Sequence, residues 1–383
     1  MLRFLTAGES HGPALVIIVE GLPCGVEVSK KRIDSELARR QLGVGRGERM
    51  RIEKDSVEIL SGVRFGKSLG SPIAMLIRNR DWANWSKTMA LEGAQEVEAI
   101  TQPRPGHADL AGVFKTGQKD IRNILERASA RETAARVAVG ALAKTLLSGF
   151  DIFILSHVVR IGACEANIAF TPKPEDLKKI DASPVRCIDE KTSDAMVKEI
   201  RKAVEDEDSL GGVFEVLAYG VPPGLGSYTS WNRRLDGCIA RALMSIPAIK
   251  GVEIGDGFEL AGMRGSVSHD EIFYTPSKGF HRETNRAGGI EGGMSNGETI
   301  VVRAAMKPIP TLGKPLRTVD IVTKEQVFAF KERADVCAVP SAAVVGESML
   351  AIEIASAVLE KFGGDSLDEL MHNYQGYIET LKG

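Results

Sequence analysis

A repetition of sequence at a nearly constant spacing constrains this fold more than any other feature. Residues 16–25 (VIIVEGLPCG) match residues 215–224 (EVLAYGVPPG) at an offset of 199. Residues 32–39 (RIDSELAR) match 234–241 (RLDGCIAR) at 202, and 59–64 (ILSGVR) match 259–264 (ELAGMR) at 200. Arg127 lines up with Arg333 at 206. Four matches in order point to an internal duplication. The expected chain is a single domain over residues 1–383 made of two pseudo-repeated halves, about 1–150 and 205–365. Each half then holds a sheet and a long helix, and the pair buries its helices between two sheets.

The elements follow from local pattern. Ala14 to Val19 is a branched, apolar run ended by Gly21-Leu22-Pro23, which reads as a strand. Ser29 caps a helix running to about Leu42, with Ile33 and Leu37 at helical spacing. Val57 to Leu60 and Ile73 to Ile77 read as strands. The longest helical pattern runs from Asp120 to about Leu147, with alanines that permit close packing, and a second helical run spans Ala342 to Lys361.

Composition narrows the class. The chain is 43% hydrophobic and 26% charged, an ordinary globular profile. A net charge of −2 argues against a general nucleic-acid binder. No apolar run reads as long enough to span a bilayer, and Met1-Leu2-Arg3-Phe4 does not open a signal peptide. The five cysteines include no Cys-x-x-Cys pair, so neither a disulfide framework nor a zinc ribbon is expected and the cytoplasm is the natural compartment.

Two of six histidines lie in glycine-flanked, charge-rich segments, Gly8-Glu9-Ser10-His11-Gly12 and Arg104-Pro105-Gly106-His107-Ala108-Asp109. Histidine exchanges protons near neutral pH, and flanking glycines allow close approach of a ligand. The first segment also fits a serine-hydrolase elbow, but an elbow joins a strand to a helix, whereas Pro13 and a strand-like run follow here. Gly62 to Ser68 falls one residue short of a phosphate-binding loop, and Gly70 and Pro72 forbid the helix that must follow. Neither histidine has a close second ligand, so no metal is expected.

Arginines carry the clearest physical signal. Arg39, Arg40, Arg46, Arg49 and Arg51 crowd one helix end and loop, and Arg104, Arg127, Arg131 and Arg333 sit within motifs. In a nearly neutral chain such clusters suit a small polyanion, since guanidinium groups bind carboxylate and phosphate in pairs. Arg127 and Arg131, four apart, share a face if the helix is continuous. Lys307-Pro308-Ile309-Pro310-Thr311 is rigid and starts with a cation, which suits contact with a cofactor phosphate or ring. Gly43 to Arg51 and Lys278 to Gly297, both polar and glycine-rich, read as lids over an anionic ligand.

Taken together, residues 8–12, 39–41, 45–47, 104–109, 127–133, 288–297, 307–311 and 333–340 resemble the chorismate synthase family over essentially the whole chain. Ala128 stands where the family often has Ser, and Pro247-Ala248 where many members have a polar residue before the alanine. The resemblance implies an α+β fold, an internally duplicated β-α-β sandwich with a helical layer between two antiparallel sheets, assembled as a homotetramer. It implies anti 1,4-elimination of phosphate from 5-enolpyruvylshikimate 3-phosphate, giving chorismate with reduced FMN, in the shikimate pathway of aromatic amino-acid biosynthesis. By resemblance, His11 protonates the leaving phosphate, His107 protonates or stabilises the reduced flavin near N1, and Asp335 takes the C6 proton together with flavin N5. FMN contacts are implied for Arg127, Ala128, Ser129, Pro247, Ala248, Gly292, Lys307, Pro308, Ile309, Pro310, Thr311 and Arg333. Substrate contacts are implied for Ser10, Arg40, Arg46, Arg49, Arg104, Arg131 and Arg333. Some members reduce their flavin with NADPH; a chain of this length without large inserts is expected to rely on an external supply.

Overall fold

Alternation along residues 14–20 builds the first layer. The computed structural model describes residues 2–47, 53–93, 97–166, 171–332 and 334–381. Strands β1 (Arg3–Ala7), β2 (Ala14–Glu20), β3 (Val57–Ile59) and β4 (Ile73–Arg78) form an antiparallel sheet in the order β1-β2-β4-β3. Leu15, Ile17 and Val19 of β2 and Ile73, Met75 and Ile77 of β4 point inward and are fully buried. The opposite face keeps Leu5, Val16 and Ile18 exposed.

The second sheet contains β5 (Phe153–Ile161), β6 (Gly212–Tyr219), β7 (Ile249–Ile254) and β8 (Ile300–Met306) in the order β5-β6-β8-β7, with Cys164–Glu165 as an extra edge beside β5. Its order matches that of the first sheet. In each sheet a helix joins the second and third strands, α1 (Lys30–Gln41) in one and α3 (Leu235–Met244) in the other. Each fourth strand leads on to a long helix, α2 (Thr133–Ser148) or α4 (Val339–Phe362). The strand that opens the second sheet, β5, begins at Phe153. The matched segments 59–64 and 259–264 also differ in form: the first ends β3 and enters a hairpin, while Gly257–Gly262 is a 3-10 helix.

The four helices lie between the sheets. α1 and α2 pack on β3 and β2, α4 packs on β5 and β6, and α2 and α4 pack on each other. Ser29 Oγ accepts the Arg32 N–H at the start of α1. α4 is long and apolar enough to cross a membrane by length and composition, contrary to the sequence expectation, but 83% of its apolar window is buried as the central core helix. The helix expected from Asp120 to Leu147 is broken instead into Arg122–Leu125, a 3-10 turn at Ala130–Glu132, and α2.

Glu347, at the middle of α4, is fully buried and joins several elements. Arg39 Nη1 and Nη2 donate to its two oxygens at 2.8 and 2.9 Å, and Arg186 Nη2 donates at 2.9 Å. Lys144 Nζ and the Ser156 N–H and Oγ complete the shell. Burial alone would raise this carboxyl; the charges of Arg39, Lys144 and Arg186 hold it far below the usual carboxylate range.

Where α2 meets α4 the backbones touch. A Cβ at Gly140 would lie 2.3 Å from the Ser348 Cβ. Gly to Ala within a helix ordinarily adds up to about 1 kcal/mol of stability. Here we expect Gly140→Ala to lower it by about 1–3 kcal/mol through overpacking. Urea unfolding checks the sign, and a stabilised variant contradicts the packing described.

Candidate active site

The site is assembled from loops that leave the ends of both units, held by the rigid layers behind them. A cavity of about 470 Å³ opens there, within the usual size of small-molecule sites. Ser10 and His11 come from the β1–β2 connection. This tight turn needs Gly8 at φ +108, where a Cβ would strike the Ala14 carbonyl oxygen. Arg40 comes from the last turn of α1, Arg46 and Gly47 from the loop after it, and Ala128, Ser129 and Arg131 from the turn before α2. Arg104 and His107 precede the helix Asp109–Thr116. From the second unit come Pro247 and Ala248 before β7, Lys307, Ile309, Pro310 and Thr311 after β8, and Asp335 before α4.

Not every expected residue lines this cavity. Arg127 is exposed and donates to the Thr6 and Gly8 carbonyl oxygens, fastening the end of β1. It cannot share a face with Arg131, because the helix stops and Ser129 is extended at ψ 145. Pro308 and Gly292 are exposed outside the cavity. Gly292 lies at a hairpin tip between Ile290–Glu291 and Met294–Ser295. No residue of 278–297 lines the cavity in this chain. Gly288, Gly289 and Gly293 allow close backbone approach: a Cβ on Gly288 would sit 2.3 Å from the Gly255 nitrogen. Residues 43–47 of the other expected lid dock on the chain before α4, where the Val336 N–H donates to the Gly45 carbonyl at 2.7 Å. Arg49, Arg51 and Arg333 lie outside the described residues.

The two histidines each meet a buried carboxylate. His11 Nδ1 donates to Glu126 at 2.9 Å. His107 Nδ1 donates to Asp109 Oδ1 at 2.5 Å, while the Arg104 Nε–H donates to Asp109 Oδ2 at 2.9 Å. Arg104 Nη1 also donates to Thr311 Oγ1 at 2.9 Å. Asp335 receives the Gly47 N–H at 2.6 Å and pairs with Arg46 at 3.0 Å. Ser10 lies in a hairpin connection, where its Oγ accepts the Ser129 hydroxyl at 3.2 Å; this is not the strand-to-helix setting of a hydrolase elbow. His11, Glu126 and Glu332 bring one nitrogen and two oxygens within 4.8 Å of one another.

The cation wall is crowded. Arg131 Nε donates to Asn79 and its Nη1 to Asp55, at 2.8 and 2.5 Å. Arg40 Nε donates to Thr133 at 3.2 Å. Arg40 Nη1 and Arg131 Nη2 are buried and make no close hydrogen bond among the described residues, but each pairs with a buried carboxylate, Asp55 at 3.5 Å and Glu53 at 3.8 Å. Burial, then the charges of Arg131 and Arg46, lower Arg40 to about 10 against the opposing pull of Asp55 and Asp335. Five fixed cations (Arg40, Arg46, Arg104, Arg131, Lys307) and two carboxylates (Glu332, Asp335) line the cavity among the described residues. That excess suits a ligand bearing several negative charges.

A family profile described as chorismate synthase matches residues 2–359. The chorismate synthase of Desulforudis audaxviator (strain MP104C) is 60% identical over 384 residues, covering 100% of this chain and 98% of that protein. That of Desulforamulus reducens is 58% identical and covers 100% of both chains. A solved structure, "Crystal Structure of Chorismate Synthase", superposes with TM-score 0.81 at 48% identity, covering 100% of this chain and 98% of that one.

This chain belongs to the chorismate synthase family. It is a lyase of the shikimate pathway. Sequence reasoning missed several residues of its chorismate synthase site: Glu126, Trp85, Asp55 and Glu332 carried no motif of their own. Asp109 stood inside a quoted motif without a role. The spacing of Arg122 and Glu126, four apart on a short helix, was the available signal for a buried acid beside His11.

Asp109 is fully buried. Burial works to raise its carboxyl, but the hydrogen bonds and charges of His107 and Arg104 hold it far below the usual range. A depressed carboxylate contributes stability above its unfolded value of about 3.9, and that contribution is lost as pH falls below it. We expect Asp109→Asn to cost about 3–5 kcal/mol near neutral pH. The deficit should shrink as pH drops below about 4. Melting curves of parent and variant across that range check this; a deficit independent of pH contradicts it.

Proposed function

We propose that this cavity binds 5-enolpyruvylshikimate 3-phosphate with reduced FMN and eliminates phosphate from C3 and a proton from C6 to give chorismate. The observation that carries this reading is the excess of fixed positive charge on the cavity wall, where Arg40, Arg46, Arg104, Arg131 and Lys307 stand against Glu332 and Asp335 among the described residues. A substrate with two carboxylates and a phosphate matches that excess.

The donor set also fits a flavin. Ile246, Pro247, Ala248, Met306, Ile309, Pro310 and Val345 give an apolar wall for a flat ring, and Lys307 stands at its edge. Ala128, Ser129, Pro247, Ala248, Lys307, Ile309, Pro310 and Thr311 are the residues that would hold FMN. Reduced FMN, when bound, lends electron density to the departing phosphate and recovers it, so the reaction has no net redox change. Arg127, Gly292 and Pro308 are given no part in this chain's own cavity.

The proton work falls to three residues. His11 donates to the leaving phosphate oxygen, which makes phosphate a better leaving group. His107, held by Asp109, supports the flavin side of the site. Asp335, paired with Arg46, accepts the C6 proton. Arg40, Arg46, Arg104 and Arg131 orient the substrate anions.

We place the enzyme in the cytoplasm as a homotetramer supplied with reduced flavin from outside. Five free cysteines support the first, and the exposed apolar row Leu5, Val16 and Ile18 on the first sheet supports subunit contact. We also assign the chain as one duplicated domain, supported by the shared strand order of its two sheets.

Two variants test the roles. His11→Ala should lower turnover by about two to four orders of magnitude while FMN still binds. Asp335→Asn should retain binding of oxidised FMN and substrate but lose about a hundredfold or more in turnover. If Asp335→Asn turns over like the parent and melts at a lower temperature, the aspartate only anchors the Gly45–Gly47 loop and the base lies elsewhere.

A further inference from the structure

The His11 ring is held on two sides by residues that no motif announced. Glu126, whose side chain is 1% exposed, closes the short helix Arg122–Leu125. Its Oε1 accepts the His11 Nδ1–H at 2.9 Å and the Arg122 Nη1–H at 3.1 Å. Its Oε2 accepts the His11 backbone N–H at 2.8 Å, and its own carbonyl oxygen accepts the Ser10 N–H at 2.9 Å. One residue thus fixes both the backbone and the ring of His11. The Trp85 indole stacks on the imidazole, with centroids 3.8 Å apart and planes 21° from parallel. Trp85 is itself held by its Nε1–H donation to Asp81 at 3.0 Å and by the Arg122 guanidinium lying 5.2 Å from its ring.

The carboxyl of Glu126 is ionised. Burial works to raise it, but the hydrogen bonds and charge of His11, with Arg122 behind, hold it below the usual carboxylate range. An ionised carboxylate only accepts hydrogen bonds. Nδ1 therefore carries a proton in both the neutral and the charged ring, and exchange with a ligand takes place through Nε2.

We propose that Glu126 is the positioning residue for His11: it fixes the Nδ1–H tautomer and steadies the imidazolium that delivers a proton from Nε2 to the leaving phosphate. This rests on the reading of His11 as the acid. In the step, the C3–O bond breaks, its electron pair leaves with the phosphate oxygen, and that oxygen takes the Nε2 proton. The ring is left neutral with its other proton on Nδ1, still donated to Glu126, and solvent recharges Nε2 after phosphate departs. Trp85 keeps the ring plane aligned during the cycle.

A double-mutant cycle on the full chain with reduced FMN and substrate tests the proposal. Glu126→Ala should lower kcat by about a hundredfold with KM within about threefold. Glu126→Gln retains a carbonyl acceptor for Nδ1–H and the fold of the turn, so it should recover about tenfold of that loss. In a His11→Ala background neither change should lower turnover further by more than about threefold. Nitrogen NMR of ¹⁵N-histidine-labelled protein should show His11 protonated at Nδ1 in the parent and in Glu126→Gln, and a mixture of tautomers in Glu126→Ala. An equal loss with and without His11, or a loss confined to KM, makes Glu126 a structural brace and overturns the proposal. If His11→Ala is impaired and Glu126→Ala is not, this proposal alone falls. If His11→Ala keeps parental turnover, the acid reading and the proposal fall together.

Discussion

The carboxylate of Glu347 is the contact on which the rest of the molecule depends. It is fully buried, and ionised only because Arg39, Lys144 and Arg186 surround it. Those cations come from α1, from α2 and from the chain between Ser183 and Cys187; Ser156 joins from β5. The clamp therefore ties the first sheet's helices to the second sheet through the central helix. Such a pair is a poor source of net stability compared with apolar packing, but removing one partner leaves costly unpaired charge. It sets the register in which the two units meet. Arg39 and Arg40 are adjacent on α1, so anchoring Arg39 on Glu347 aims Arg40 toward the cavity.

The site follows a similar logic. Most of its charged residues are backed by a buried partner of opposite sign. Arg104 and His107 share Asp109, His11 rests on Glu126 and Arg131 is held by Asp55, while Arg46 meets the partly buried Asp335. Partnering removes rotational freedom before any ligand arrives, which lowers the entropic cost of binding. Arg40 Nη1 and Arg131 Nη2 are held more loosely, by ion pairs to Asp55 and Glu53 at 3.5 and 3.8 Å. Two guanidinium groups crowd each other there, and burial with the charges of its arginine neighbours lowers Arg40 to about 10.

Much of this was legible from residues alone, for identifiable reasons. β2 shows itself by alternation and α1 by the Ser29 cap and the Ile33–Leu37 spacing, both local signals. The second unit's first strand was missed because residues 162–211 separate β5 from β6, while only residues 8–13 separate β1 from β2. Distance along the chain hid the pairing. The break between Arg122 and Thr133 was invisible because every residue there tolerates helix; tertiary contacts pull Arg131 to Asp55 and Arg127 to Thr6 instead. Glycine richness in 278–297 was read as ligand approach, whereas it serves backbone-to-backbone packing such as Gly288 on Gly255. Histidines and arginines announced themselves by type and context. Their buried acidic partners did not, because an isolated Glu or Asp reads as surface.

The central claim is that an arginine-walled cavity carries out an elimination and does more than hold an anion. Anaerobic incubation of the purified protein with 5-enolpyruvylshikimate 3-phosphate and photoreduced FMN, followed by chorismate absorbance and phosphate release, tests it most directly. Chorismate and phosphate should appear in equal amounts, with the flavin still reduced at the end, and neither should appear with oxidised FMN. Substrate that binds but persists under reduced flavin would contradict the claim and leave the chain an anion-binding protein.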